Sequence, residues 1–280
     1  MENKLDYNHT IRLNNTDISN KNPLTVIAGP CAIESKDHCI FMAKSLKAIS
    51  DEMGFNLIFK SSYDKANRTS VNGKRGMGIE ASLDIFDTIK KLTNLPILTD
   101  VHEAYQCELI KDYVDIIQIP AFLARQTDLI TTAANTNKII NIKKSQFMSP
   151  WDVKYSVEKI LSRGNRNVLL TERGVSFGYN NLVVDFRSLE IMRKMNIPVV
   201  FDATHSVQLP GGGSGKSTGQ REFVETLCTA AVSTGIACLF AEVHDNPKNA
   251  ISDSDNQLDL EDFKSLILKL LKFDELAKKI

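Results

Sequence analysis

The chain has no excess of either charge: 34 Lys and Arg stand against 34 Asp and Glu over 280 residues. Such a balance raises no long-range field toward nucleic acid or a membrane surface, and neither is expected as a partner. Nor is there an apolar run of the roughly 18 residues that a membrane helix needs. The opening stretch MENKLDYNHTIRLNNTDISNKN lacks the apolar centre of a signal peptide. Cysteine is sparse: there are five, scattered and without a C-x-x-C pair, which excludes a disulfide framework and points to a reducing cytosol. A soluble, cytoplasmic protein is the expectation.

One stretch imitates a nucleotide site without meeting its requirements. GGGSGKST at 211–218 resembles a phosphate loop, but the template's first glycine falls on Pro210, which has no N–H to offer a phosphate. The preceding apolar run also stops near Thr204, and helical periodicity resumes only after Gln220. A glycine-rich lid over some other site is the better reading.

What the chain does have is a repeated alternation. Apolar, β-branched runs occur at 25–31, 56–62, 96–102, 116–122, 139–145, 167–173, 198–204 and 238–244, with amphipathic segments between them. SKDHCIFMAKSLKAISDEMG opens on a Ser N-cap candidate and repeats Ile40, Ala43, Leu46, Ile49 and Met53 at helical steps. Eight strands alternating with helices predict a closed (β/α)8 TIM barrel over 25–280, as a single domain. Residues 1–24 are expected to form an arm or hairpin capping the barrel bottom.

Chemistry-bearing residues collect where the runs end. Cys31, Lys60, Asp100, His102, Lys143, Lys144, Arg173, Asp202, His205, Glu242 and His244 all fall at or near the C-terminal rim, where a barrel's loops converge. Lys60, Lys65, Lys143, Arg68 and Arg173 outnumber the rim carboxylates, and buried cations without anions cost several kcal/mol each. Phosphorylated or carboxylated ligands would neutralise them. The competing reading is a lattice of salt bridges to Asp100, Asp202 and Glu242. Cys31, His205, Glu242 and Asp253 form a donor set suited to a divalent ion such as Zn, Fe or Mn. From spacing alone, a free buried Cys beside a satisfied His explains them equally well. Cys39, Cys107, Cys228 and Cys238 read as structural.

Several motifs then carry a resemblance. AGPCAIES (28–35), FKSSYDKANRTS (59–70), TDVHE (99–103), IQIPAFLARQTDL (117–129), NIKKSQFMSP (141–150), ERGVSFGYNNLVVD (172–185) and FDATHSVQLPGG (201–212) occur in order. Together they resemble the 3-deoxy-D-manno-octulosonate 8-phosphate synthases. That family condenses phosphoenolpyruvate with D-arabinose 5-phosphate and water, releasing phosphate, for lipopolysaccharide biosynthesis.

The resemblance implies that Lys60, Ser62, Lys65, Ala121, Lys143, Gln146 and Arg173 surround phosphoenolpyruvate. It places Asn67, Arg68 and Thr69 at the pentose phosphate, with Asp100 and His102 between the two substrates. Lys60, Lys65, Asp100, His102, Lys143 and His205 are the implied catalytic group, and Arg125 is expected to reach across a boundary in a homotetramer. Cys after GP marks the metal-dependent class, which implies Cys31, His205, Glu242 and Asp253 as ligands. The related synthase using erythrose 4-phosphate is the alternative, but it typically carries KPRTS where this chain has KANRTS. A non-catalytic phosphosugar sensor on the same barrel would bind without releasing phosphate.

Overall fold

The computed structural model describes residues 9–213 and 216–279. Eight parallel strands close into a barrel: β1 (Thr25–Gly29), β2 (Asn56–Lys60), β3 (Ile97–Asp100), β4 (Ile116–Ile119), β5 (Ile139–Lys143), β6 (Val168–Glu172), β7 (Val199–Asp202) and β8 (Cys238–Glu242). Strand β8 pairs with β1, Cys238 opposite Thr25 and Glu242 opposite Gly29, so the first and last strands are neighbours. Each apolar run begins within a residue of its strand but outlasts it by one to three residues. The surplus residues are the rim. At that rim β1 and β2 approach so closely that a Cβ on Gly29 would lie 2.0 Å from the Lys60 carbonyl oxygen, which demands glycine.

Helices alternate with the strands: α1 (Lys36–Met53), α2 (Ile79–Thr93), α3 (Ala104–Ile110), α4 (Thr127–Asn135), α5 (Val153–Leu161), α6 (Arg187–Arg193), α7 (Val224–Val232) and α8 (Leu260–Ala277). Helix α1 starts where its sequence says it should, with the Ser35 side chain accepting the His38 N–H at 3.2 Å. It stops at Gly54, whose φ of 73° supplies the left-handed C-cap. Residues facing outward from the strands, such as Val26, Phe59, Ile117 and Phe201, pack against the helices in the larger core.

The inward-facing residues form the second core. Ile27, Ile58, Leu98, Ile116, Ile139, Leu169, Val200 and Phe240 fill the barrel, and Ile11, Leu13 and Ile18 join them from below. Those last three belong to an antiparallel hairpin, Ile11–Leu13 with Thr16–Ile18, which plugs the bottom as anticipated. Residues 1–8 of the expected arm lie outside the described residues.

Strand alternation now decides what stands above the apolar plug. Because side chains on one face recur every second residue, Ile58 below means Lys60 above, Leu98 means Asp100, Val200 means Asp202 and Phe240 means Glu242. A middle layer carries polar links: Asn141 Nδ2 donates to Gln118 Oε1 at 3.1 Å, and Thr171 Oγ1 to Asn141 Oδ1 at 2.7 Å. The same parity corrects one rim assignment. Lys144 is adjacent to Lys143 and therefore takes the opposite face, where it meets Glu172 at 3.3 Å away from the mouth.

Candidate active site

A cavity of about 670 Å³ opens at the C-terminal end of the barrel, and the scattered rim residues line it together. Lys60, Lys65, Asn67, Arg68, Thr69, Asp100, His102, Ala121, Lys143, Gln146, Arg173, His205, Glu242 and Asp253 all contribute. Three of the expected residues do not, and one of them, Cys31, is buried beneath the cavity surface. Ser62 is buried behind the wall, donating to Asp100 Oδ1 and accepting from Lys65 Nζ at 3.0 Å. Arg125 is exposed outside the mouth. His244, assigned to the rim ring by its position after β8, has turned away toward Glu34, because the chain leaves strand geometry after Glu242 and alternation no longer governs it.

Part of the salt-bridge lattice is real. Lys60 Nζ meets Glu242 Oε1 at 2.7 Å, and Lys143 Nζ meets Asp202 Oδ2 at 2.6 Å. Both lysines also lie over the Phe240 ring, at 5.3 and 4.2 Å from its centroid. Burial, with Lys60 close by, pushes the Lys143 ammonium below its ordinary range against the pull of Asp202. Lys60 and Lys143 thus follow the salt-bridge reading.

Of the other three, only the arginines lack a carboxylate partner. Lys65 also meets an acid and a hydroxyl, 3.9 Å from Glu242 and donating to Ser62 Oγ at 3.0 Å. Arg68 donates to Lys74 O at 2.9 Å, to Ser252 Oγ at 2.6 Å and to the Ile251 carbonyl, with no carboxylate among these partners. Arg173 is the extreme case: it is buried, only Nη2 is bonded, to Gln208 Oε1 at 3.1 Å, and Nε and Nη1 have no partner. Burial lowers its affinity for a proton. A forked, desolvated cation with free donors facing a cavity is built to receive an oxyanion.

Asp100 sits between these regions, its Oδ2 3.0 Å from His102 Nε2. Burial opposes its charge, but the His102 hydrogen bond and Lys65 outweigh it and hold the carboxyl well below the usual range. A carboxylate held low adds stability above its unfolded pKa of about 4 and loses it as pH falls toward the folded value. Asp100→Asn is therefore expected to cost about 1–3 kcal/mol at neutral pH. It should also flatten the fall of the urea midpoint on acidification, and an unchanged acid profile would count against this account.

On the β7–β8–β1 side the four proposed ligands converge. One donor atom each from Cys31, Glu242 and Asp253 lies within 4.8 Å of the others, and His205 Nε2 is 4.0 Å from Glu242 Oε1. Cys31 Sγ now shares its proton with Asp253 Oδ2 at 3.1 Å. Burial and then Glu242 push that thiol well above its ordinary range. Glu242 Oε2 is buried with no hydrogen-bond partner. Asp202 Oδ2 holds His205 Nδ1 at 2.9 Å, which leaves Nε2 as the free ring nitrogen. A thiol awaiting deprotonation, an orphaned carboxylate oxygen and an oriented imidazole fit a divalent ion.

Three supporting residues have duties beyond what the sequence suggested: Asp202, read there only as a rim and salt-bridge acid, and two glutamines. Asp202 orients His205 and pairs Lys143. Gln208 Nε2 donates to Asp253 Oδ1 at 2.8 Å, and Gln257 Oε1 accepts the Cys31 N–H at 3.2 Å. For Asp202 the signal was available, two residues above an inward Val200; for the glutamines there was none. Over the mouth, Gln208–Gly213 and Lys216–Gly219 form an antiparallel ribbon, with Gln208, Pro210, Gly211 and Ser217 lining the cavity. The glycine-rich stretch is thus a roof rather than a strand-to-helix phosphate loop; its Ser214 and Gly215 lie outside the described residues.

Fold and mouth together define a barrel enzyme that works on small anionic molecules. The chain belongs to the DAHP synthetase I family, whose model matches residues 8–279. Proteins named 2-dehydro-3-deoxyphosphooctonate aldolase from Brucella ovis, Brucella suis biovar 1 and Brucella abortus are each 52% identical to it over 271 residues, covering 97% of this chain and 98% of theirs.

Proposed function

We propose that the chain condenses phosphoenolpyruvate with D-arabinose 5-phosphate and water to give 3-deoxy-D-manno-octulosonate 8-phosphate and phosphate. The observation that carries this is the pair of guanidinium groups without a carboxylate partner, Arg68 and Arg173, beside Lys60, Lys65 and Lys143 around one cavity. Two phosphates and a carboxylate match it. The near full-length similarity to octulosonate aldolases favours this substrate pair over erythrose 4-phosphate.

In this reading Arg173 forks onto phosphoenolpyruvate oxygens while Lys60, Lys65 and Lys143 supply point charges around them. Ser62 fixes Lys65, and Ala121 and Gln146 shape the wall. Asn67, Arg68 and Thr69 take the pentose phosphate. Asp100 and His102 stand between, where the aldehyde carbon meets C3 of the enol; water adds at C2 and the C2–O bond to phosphate breaks. Holding both anions in reacting geometry lowers the barrier by as much as about 7–11 kcal/mol in well-oriented systems.

Cys31, His205, Glu242 and Asp253 would hold a divalent ion of the Zn, Fe or Mn kind, which when bound supplies positive charge that orients water or aldehyde at the mouth. Asp202 keeps His205 in the tautomer such a ligand needs. The same reading places the enzyme in the cytoplasm, making the sugar acid for lipopolysaccharide, as a homotetramer. Exposed Phe122, Phe147, Trp151 and Tyr155, from the part of the chain around Arg125, are apolar surface that subunit contacts would cover.

Phosphate release tests the proposal. Turnover is expected with arabinose 5-phosphate far above erythrose 4-phosphate, lost on chelation and restored by metal. Cys31→Asn should retain chelator-resistant turnover if the ion only orients. Preference for the four-carbon sugar, or binding without phosphate release, would refute the assignment.

A further inference from the structure

Among the described residues a second group of metal-ligating side chains lies outside the mouth. Glu34, His38 and His244 each offer one donor atom, and the three lie within 4.8 Å of one another. Glu34 precedes the Ser35 cap, His38 belongs to the first turn of α1, and His244 follows β8. His244 Nε2 is 3.2 Å from Glu34 Oε1, and the two imidazole rings are 4.5 Å apart at their centroids, tilted by 37°.

The rings are only partly satisfied by protein groups. His38 Nε2 meets Asp245 Oδ1 at 3.0 Å, whereas its Nδ1 is buried with no hydrogen-bond partner. An unpartnered polar atom in such a place leaves a desolvation cost uncompensated. His244 Nδ1 lies 2.9 Å from Asp245 Oδ1 as well as 2.9 Å from the Asn246 nitrogen, and a ring proton held on Nδ1 by that carboxylate leaves the Nε2 lone pair facing the Glu34 side. The gap between His244 Nε2 and Glu34 Oε1, 3.2 Å apart, is where a cation would sit between imidazole and carboxylate. Asp245 supplies the outer carboxylate that commonly orients a ligating histidine.

We propose that Glu34, His38 and His244 bind a second divalent transition-metal ion, separate from the Cys31 group. Two imidazoles and one carboxylate select zinc, cobalt or nickel over magnesium or calcium. The ion takes the Nε2 lone pair of neutral His244, whose single ring proton stays on Nδ1 against Asp245 Oδ1, so no ring is left without a proton and no oxidation state changes. The consequence lies in position. Glu34 Oε1 also accepts the Ile251 N–H at 3.0 Å, and the Ile251 carbonyl and Ser252 hydroxyl seat Arg68, one residue before Asp253. An ion here ties the start of α1 to the loop that shapes the mouth, without touching either substrate pocket.

Zinc content per chain, measured on the full-length metal-free protein after equilibrium dialysis, tests this. His38→Ala is expected to remove one ion from the wild type and one from a Cys31→Ser background, so the second site is read independently of the first. With cobalt, His38→Ala should keep the thiolate-to-metal charge-transfer band that Cys31→Ser loses. Equal metal content with and without His38 in both backgrounds overturns the proposal. So does loss of the thiolate band in His38→Ala, which would make the two groups one site.

Discussion

Arg173→Met is expected to lower kcat/KM by on the order of 10²–10³, the usual loss when one donor to a developing or bound oxyanion is removed. The ligand-free protein should nevertheless melt no lower than wild type, because the wild-type guanidinium is buried with Nε and Nη1 unsatisfied. Replacing an under-compensated buried charge by an apolar side chain of similar length is often neutral or stabilising. Phosphoenolpyruvate supplies the contrast. At a hundredfold excess over its Kd it should stabilise the wild type by about 2.7 kcal/mol and the variant at the same concentration far less. Arg173→Lys should resemble the Met variant in kinetics, since an ammonium cannot fork onto two oxygens. Were ligand-free Arg173→Met to unfold several kcal/mol more easily, Arg173 would be a structural cation and the substrate assignment would lose its main support.

Glu242→Gln should behave in the opposite way, losing stability as well as activity. The carboxylate is buried against Lys60 at 2.7 Å, and removing one member of a buried pair strands the other at a cost of about 3–5 kcal/mol. Lys60 keeps only the Cys31 carbonyl, at 3.1 Å. Adding Lys60→Met to Glu242→Gln removes the stranded charge, so the double variant should recover most of the lost stability and none of the turnover. Urea unfolding of metal-free protein in chelator separates this from loss of a metal ligand. A double variant no more stable than Glu242→Gln would mean that the ion pair does not govern the fold here.

The two expected outcomes differ because neighbouring cations are paired differently. Lys60 and Lys143 are paired from within, by Glu242 at 2.7 Å and Asp202 at 2.6 Å. Arg173 is not, and it relies on what enters. A chain with equal numbers of acids and bases can therefore still hold a local excess of positive charge, because the balance is struck over the whole molecule and the site is not.

Much of this was legible one residue at a time. Each strand's first residue followed from its apolar run, because a strand buried on both faces reads as a continuous stretch. Lys60, Asp100, Lys143, Asp202 and Glu242 at the ends of those runs marked the rim, since the apolar plug below leaves polar residues only the upper layer. Composition and periodicity thereby determined the eightfold alternation, the barrel and the end at which chemistry happens. Only the closed structure decided which charges meet. Pairing of β8 with β1 carries Glu242 to Cys31 across most of the chain's length; strand parity admits Lys143 and expels Lys144; a turn after Glu242 takes His244 elsewhere. Distances of 3 or 4 Å between residues two hundred positions apart are set by register and closure, and no local pattern encodes either.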